Sequence, residues 1–84
     1  MKDPKDVKYA YYLQDLGMLI KQRALEAKQI SENAEPGSEA YYFETGRLLG
    51  FNEVVSIMQQ QARGFQIPLE ELDLHDIEPD RDLA

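Results

Sequence analysis

The sequence predicts an all-α protein: an antiparallel two-helix hairpin with an acidic, mostly irregular C-terminal tail, two such hairpins pairing as a four-helix bundle. Three observations predict it. Residues 41 to 65 carry two series at seven-residue spacing, Tyr41, Leu48, Val55, Ala62 and Phe51, Met58, Phe65, the period of a helix that packs along a seam. Breaks fall at Glu35-Pro36-Gly37-Ser38 and at Pro68, and leave two long uninterrupted segments. The 84 residues contain no cysteine, so disulfides and thiolate metal sites are excluded and association is the readiest way for so small a chain to gain stability.

The first helix is expected over about 4–32. Asp3 before Pro4, with Asp6 in the first turn, reads as an N-cap, a proline at N1 and an acid favoured by the helix dipole. On a wheel, Tyr9, Tyr12, Leu13, Leu16, Leu19, Ile20, Ala24, Ala27 and Ile30 gather on one half, which is expected to meet the second helix. Val7, Tyr11, Met18 and Leu25 form a thinner stripe on the other side.

Ser38 is the expected cap of the second helix, over about 38–65, with Gly64 as a candidate left-handed residue at its end and Ile67 held extended by Pro68. Leu48, Phe51, Val55, Met58 and Ala62 form one arc, and Phe43, Val54 and Ile57 widen it to roughly 200°, enough for two neighbours. Residues 1–65 then constitute the hairpin and 66–84 the tail, with a short helical turn at 68–73. Two arrangements cover the surplus apolar surface. A second copy related by a twofold axis is one. The other folds Ile67, Leu69, Leu72, Leu74 and Ile77 of the tail back over one stripe.

The net charge of −7 belongs to the tail. Residues 1–65 hold nine acids and eight bases, whereas 66–84 hold seven acids and one base. Such a chain lacks the basic footprint that nucleic acid requires. It has no apolar run long enough to cross a membrane, and its first eight residues do not resemble a secretory leader. A cytoplasmic location fits the lack of cysteine. The tail itself reads either as a solvated, frayed charge run or as a surface for a basic protein partner.

Candidate interface residues, for a second copy or another partner, are Tyr11, Met18, Leu25, Phe43, Gly46, Gly50, Val54 and Ile57, with Leu69, Leu72, Leu74 and Ile77 as candidate tail contacts. Gly46 and Gly50, one turn apart in a helix, suggest close approach of another backbone or simple tolerance of glycine. Glu44 interrupts the apolar series and Arg47 lies one turn on, so the two are candidates for setting register: a wet ion pair at the bundle end, or a buried carboxylate that fixes pairing. Gln59, Gln60 and Gln61 are expected on the polar rim, with Gln61 nearest the apolar arc, and the tyrosines at the start of each helix either close the bundle ends or meet a partner.

Catalytic chemistry finds few parts. The one histidine, His75, lies beyond Pro68, no Glu-x-x-His pair exists, and Ser31, Ser38 and Ser56 have no base nearby in sequence. No phosphate-cradling glycine loop is present. Asp73, His75, Asp76, Asp80 and Asp82 lack the glycine and bidentate glutamate of a calcium loop. The expected function is therefore non-catalytic and cofactor-free: a homodimeric helical adaptor or accessory protein, with a small acidic inhibitor or immunity-type protein, its tail in a basic cleft, as the alternative.

Overall fold

A computed structural model describes residues 4–84. Two long helices, α1 (Pro4–Asn33) and α2 (Glu39–Gly64), pack against each other as a hairpin; a 3₁₀ turn (Leu69–Leu72) and a short helix α3 (Pro79–Asp82) follow. The described residues contain no strand. Asp3, the expected cap of α1, lies outside them.

The breaks act through local backbone chemistry. The Ser38 hydroxyl accepts the Tyr41 N–H at 3.1 Å and closes the start of α2, and Gly37 takes the left-handed φ of 86° that turns the chain between the helices. The end of α2 departs from expectation. Gly64 belongs to the helix and Gln66, at φ 57°, is the left-handed residue. Gln66 N–H donates to the Arg63 carbonyl at 3.1 Å and Ile67 N–H to the Ala62 carbonyl at 2.7 Å, a Schellman closure. The same closure recurs after the 3₁₀ turn, where Asp73 is left-handed and Leu74 N–H returns to the Leu69 carbonyl at 3.0 Å. These two reversals steer the tail back along the hairpin.

The apolar residues of the tail enter the core and its carboxylates face outward. Leu72, Leu74, Ile77 and Leu83 join Ala24, Leu48, Val55 and Ala62 in one cluster, and Leu74 and Leu83 are fully buried. A tail solvated along its length does not describe this segment, because its alternating apolar side chains have a groove to fill. Ile67 and Leu69 pack on the cluster's margin with Ile20, Phe51 and Met58.

The inward face of α1 is narrower and smaller than its apolar half-circle suggests. Ala24, Ala27 and Ser31 are buried and Leu16 and Ile20 half-buried, but Tyr9, Tyr12, Leu13, Leu19 and Ile30 are exposed. The reason is close approach: small side chains bring the other elements near, and the bulky ones are left on the flank. Gly17 is the extreme case. A Cβ built there would lie 1.8 Å from the Leu72 carbonyl oxygen, so the tail backbone rests directly on α1.

Alanine at a helical glycine ordinarily stabilises by up to about 1 kcal/mol. For Gly17→Ala the clash reverses the sign, and a net loss of about 1–3 kcal/mol is expected from overpacking. Urea denaturation measures it; a stabilised variant would mean that the tail does not sit on α1.

Candidate interaction surface

Polar side chains pin the tail to one face of the hairpin. Gln59 on α2 is buried, and its amide donates to the Leu74 carbonyl at 3.0 Å and to the Ile77 carbonyl at 2.9 Å. The glutamine run therefore lies on the rim only in part: Gln60 and Gln61 are exposed, while Gln59 faces inward because two tail carbonyls need its donors. Asn52, two turns earlier, donates to the Pro79 carbonyl at 3.0 Å. On α1, Lys21 pairs with Asp73 at 3.0 Å and Asp76 at 2.8 Å, and the Lys28 ammonium donates to the Ala84 carbonyl oxygen.

Burial opposes the charge on Lys21, but the hydrogen bonds to Asp76 and Asp73, and the charges of these two carboxylates, outweigh it and hold the lysine above its ordinary value. The hydrogen bond from Lys21 holds Asp76 below the usual carboxylate range. Asp82 falls to about 2, first through its hydrogen bond with Arg81 and then through the Glu78 N–H, which meets Asp82 Oδ2 at 2.8 Å. Three of the seven tail acids are thus engaged within the chain; Glu70, Glu71, Glu78 and Asp80 are exposed.

The contacts with the tail define a direction on each helix. At 100° per residue, Gly17, Lys21 and Lys28 span about 40° of α1, and Asn52 and Gln59 about 20° of α2. Roughly 120–180° round from these on α1 and 90–170° on α2, past the inward residues, lie Tyr12, Leu16, Leu19 and Ile30 on α1 and Phe43, Phe51, Val54, Met58 and Phe65 on α2. In an antiparallel pair these two arcs fall on the same side. The hairpin has one face covered by the tail and the opposite face bare, with Phe43 67% and Phe65 73% exposed. A shallow hollow lined by Arg47, Gly50, Phe51 and Val54 lies on that bare face, and an apolar cleft between Leu13, Met58, Phe65 and Ile67 opens at its end.

The interface residues expected from sequence divide between two places. Phe43 and Val54 lie on the bare face, with Gly50 and Ile57 along its outer margin; Gly46 is farther round, and among the described residues no other element comes within 4 Å of a Cβ built at either glycine. Tyr11, Met18 and Leu25 are exposed on the far edge of α1, toward the tail side, and cannot share a flat interface with them. Leu69, Leu72, Leu74 and Ile77 contact the hairpin of their own chain. Glu44 is buried, and Arg47 Nη1 meets its Oε2 at 2.7 Å, while the Arg47 guanidinium lies 5.6 Å from the Phe51 ring centroid. Arg47 thus carries charge onto the bare face with one partner below it and an aromatic ring beside it. Tyr12, Leu16, Leu19 and Ile30 belong to this surface although the wheel assigned them to the hairpin interior; the signal that could have found them is the small-residue series Gly17, Ala24, Ala27 and Ser31 beside them.

Among the described residues, no group of three or more His, Cys, Asp or Glu side chains is placed to hold a metal ion, and no helix is long and apolar enough to cross a membrane. Comparison with protein families, characterised proteins and solved structures yields no match.

The tail pairs confer a pH window. Asp76 and Asp82 stabilise fully above their ordinary value of 3.8 and lose that contribution as pH falls through their lowered values, about 2 for Asp82. Lys21 stabilises below 10.5 and loses its contribution as pH rises through its raised value. The protection factor of the Leu74 amide, followed by hydrogen exchange, is expected to hold steady between these limits and to drop modestly outside them. Constant protection down to pH 2 would show that these ion pairs do not hold the tail.

Proposed function

We propose that this chain is a small non-catalytic interaction protein that works as a homodimeric helical bundle, an adaptor or accessory protein presenting aromatic and acidic surfaces to another macromolecule. The observation that supports it is the asymmetry of the hairpin: one face is closed by the chain's own tail, and the other is mostly leucine, isoleucine, valine and aromatic side chains, interrupted by Arg23 on α1 and by Arg47 and Gln61 on α2. Soluble monomers rarely leave such a patch uncovered. Bundles of this kind bury it against another helical layer.

The acidic inhibitor reading needs a tail free to enter a basic cleft. Packing of Leu72, Leu74, Ile77 and Leu83 in the core leaves only the outer carboxylates Glu70, Glu71, Glu78 and Asp80 for that task, which favours the adaptor reading. These four acids remain the natural contact for a protein partner with a basic surface.

Sedimentation velocity at micromolar concentration is expected to give a particle of two chain masses that dissociates on dilution. A particle of one chain mass across the range would sink the dimer.

A further inference from the structure

We infer that the bare face of the hairpin, built from Tyr12, Leu16, Leu19 and Ile30 on α1 and Phe51, Val54 and Met58 on α2, is the surface on which a second copy of this chain docks, so that the two tails lie on the outer sides of a two-layer bundle. The inference rests on the homodimer reading above and specifies its interface.

Area comes first. A compact monomer of 9.7 kDa exposes about 5,100 Å² by the scaling of surface with mass. This chain exposes 6136 Å². The excess of about 1,000 Å² is close to the roughly 800 Å² per partner that a stable interface buries. The radius of gyration agrees: 14.9 Å against about 12 Å for a compact chain of this length.

Shape then selects the occupant. The chain is a slab of 54 × 21 × 16 Å, two helices wide, and its bare side is as broad as the hairpin itself. A single amphipathic helix about 10 Å across would fill the groove between α1 and α2 and leave one row exposed. A second hairpin has the matching width and length. Helical layers that pack at a shallow angle bury rows of this kind through side chains at seven-residue spacing, and Phe51, Met58 and Phe65 are one such row on α2.

Composition fits self-association. A twofold interface must complement itself, which an apolar centre does regardless of register. Two cations lie within this face at 100° per residue. Arg47 already has Glu44 as its partner at 2.7 Å, and so enters a contact neutralised. The other is the exposed Arg23 on α1, with the carboxylate of Glu26 three residues on at the border of the face. Asp73 and Asp76 of the tail, by contrast, are held on the far side by Lys21, and two acidic tails facing each other would bring like charges together.

The test uses the full chain and side chains that are exposed in the single hairpin, so that the fold survives substitution. Leu19→Lys with Val54→Lys is expected to weaken the dimer by about 100-fold or more, as loss of central interface anchors does. Met18→Lys with Leu25→Lys, on the far edge of α1, is expected to leave it unchanged, all followed by sedimentation with circular dichroism as a check of helix content. Because the chain has no cysteine, a single Val54→Cys gives a second readout. Its alkylation rate should fall as protein concentration rises, while that of Met18→Cys should not. A dimer that survives the Leu19/Val54 pair, or one lost with the Met18/Leu25 pair, overturns this interface and leaves the homodimer reading standing. A wild-type monomer overturns both.

Discussion

The contact between the tail backbone and the hairpin decides the rest of this structure. Gly17 lets the Leu72 carbonyl lie against α1, and Gln59 supplies donors to the Leu74 and Ile77 carbonyls from α2. Neither residue adds much hydrophobic area. Together they make it affordable to bury an irregular segment whose carbonyls would otherwise lose their water contacts at a cost of about 1–3 kcal/mol each. Once that segment is seated, Leu74 and Leu83 complete the core, one face of the hairpin is closed, and the opposite face is defined as the open one.

From this follows a division of labour among the apolar residues. Those directed inward and toward the tail are small on α1 and medium on α2: Ala24, Ala27, Leu48, Val55 and Ala62. Phe43, Phe51, Phe65 and Tyr12 stand on the bare face, and Tyr11 and Tyr42 on the outer edges of the two helices. One face of the hairpin is thus sealed by a folded tail while many of the bulky apolar side chains are left exposed. The Arg81–Asp82 pair is peripheral to this arrangement, since it is local to the tail and exposed pairs contribute little.

The two helices and the turn between them were legible in the sequence because they depend on local signals. Seven-residue spacing, Pro36-Gly37 and the Ser38 cap each act within a turn or two of themselves. The seating of the tail was legible only as one of two arrangements, because its determinants act at long range: Gln59 bonds carbonyls 15 and 18 residues away, and a buried glutamine and an exposed one look alike in a run of three. Gly17 belongs to the small-residue series of α1, but what approaches it could be read only once Leu72 was placed beside it. The Gln66 reversal escaped a search for glycine because a Schellman closure, backed by Ile67 against Ala62, outweighs the strain of a left-handed non-glycine residue. For the candidate surface, the wide arc on α2 marked more apolar face than one helix covers, but the wheel alone could not tell which side of α1 borders it.

The central claim is that the face opposite the tail buries against a second copy. Isotope-filtered nuclear Overhauser spectroscopy on a mixture of labelled and unlabelled chains tests it most directly. The account predicts intermolecular contacts from the Leu16, Leu19 and Val54 methyls to aromatic protons of the other chain, and none from Met18 or Leu25. Intermolecular contacts confined to Met18 and Leu25, or absent altogether at concentrations where the chain should be paired, would contradict it.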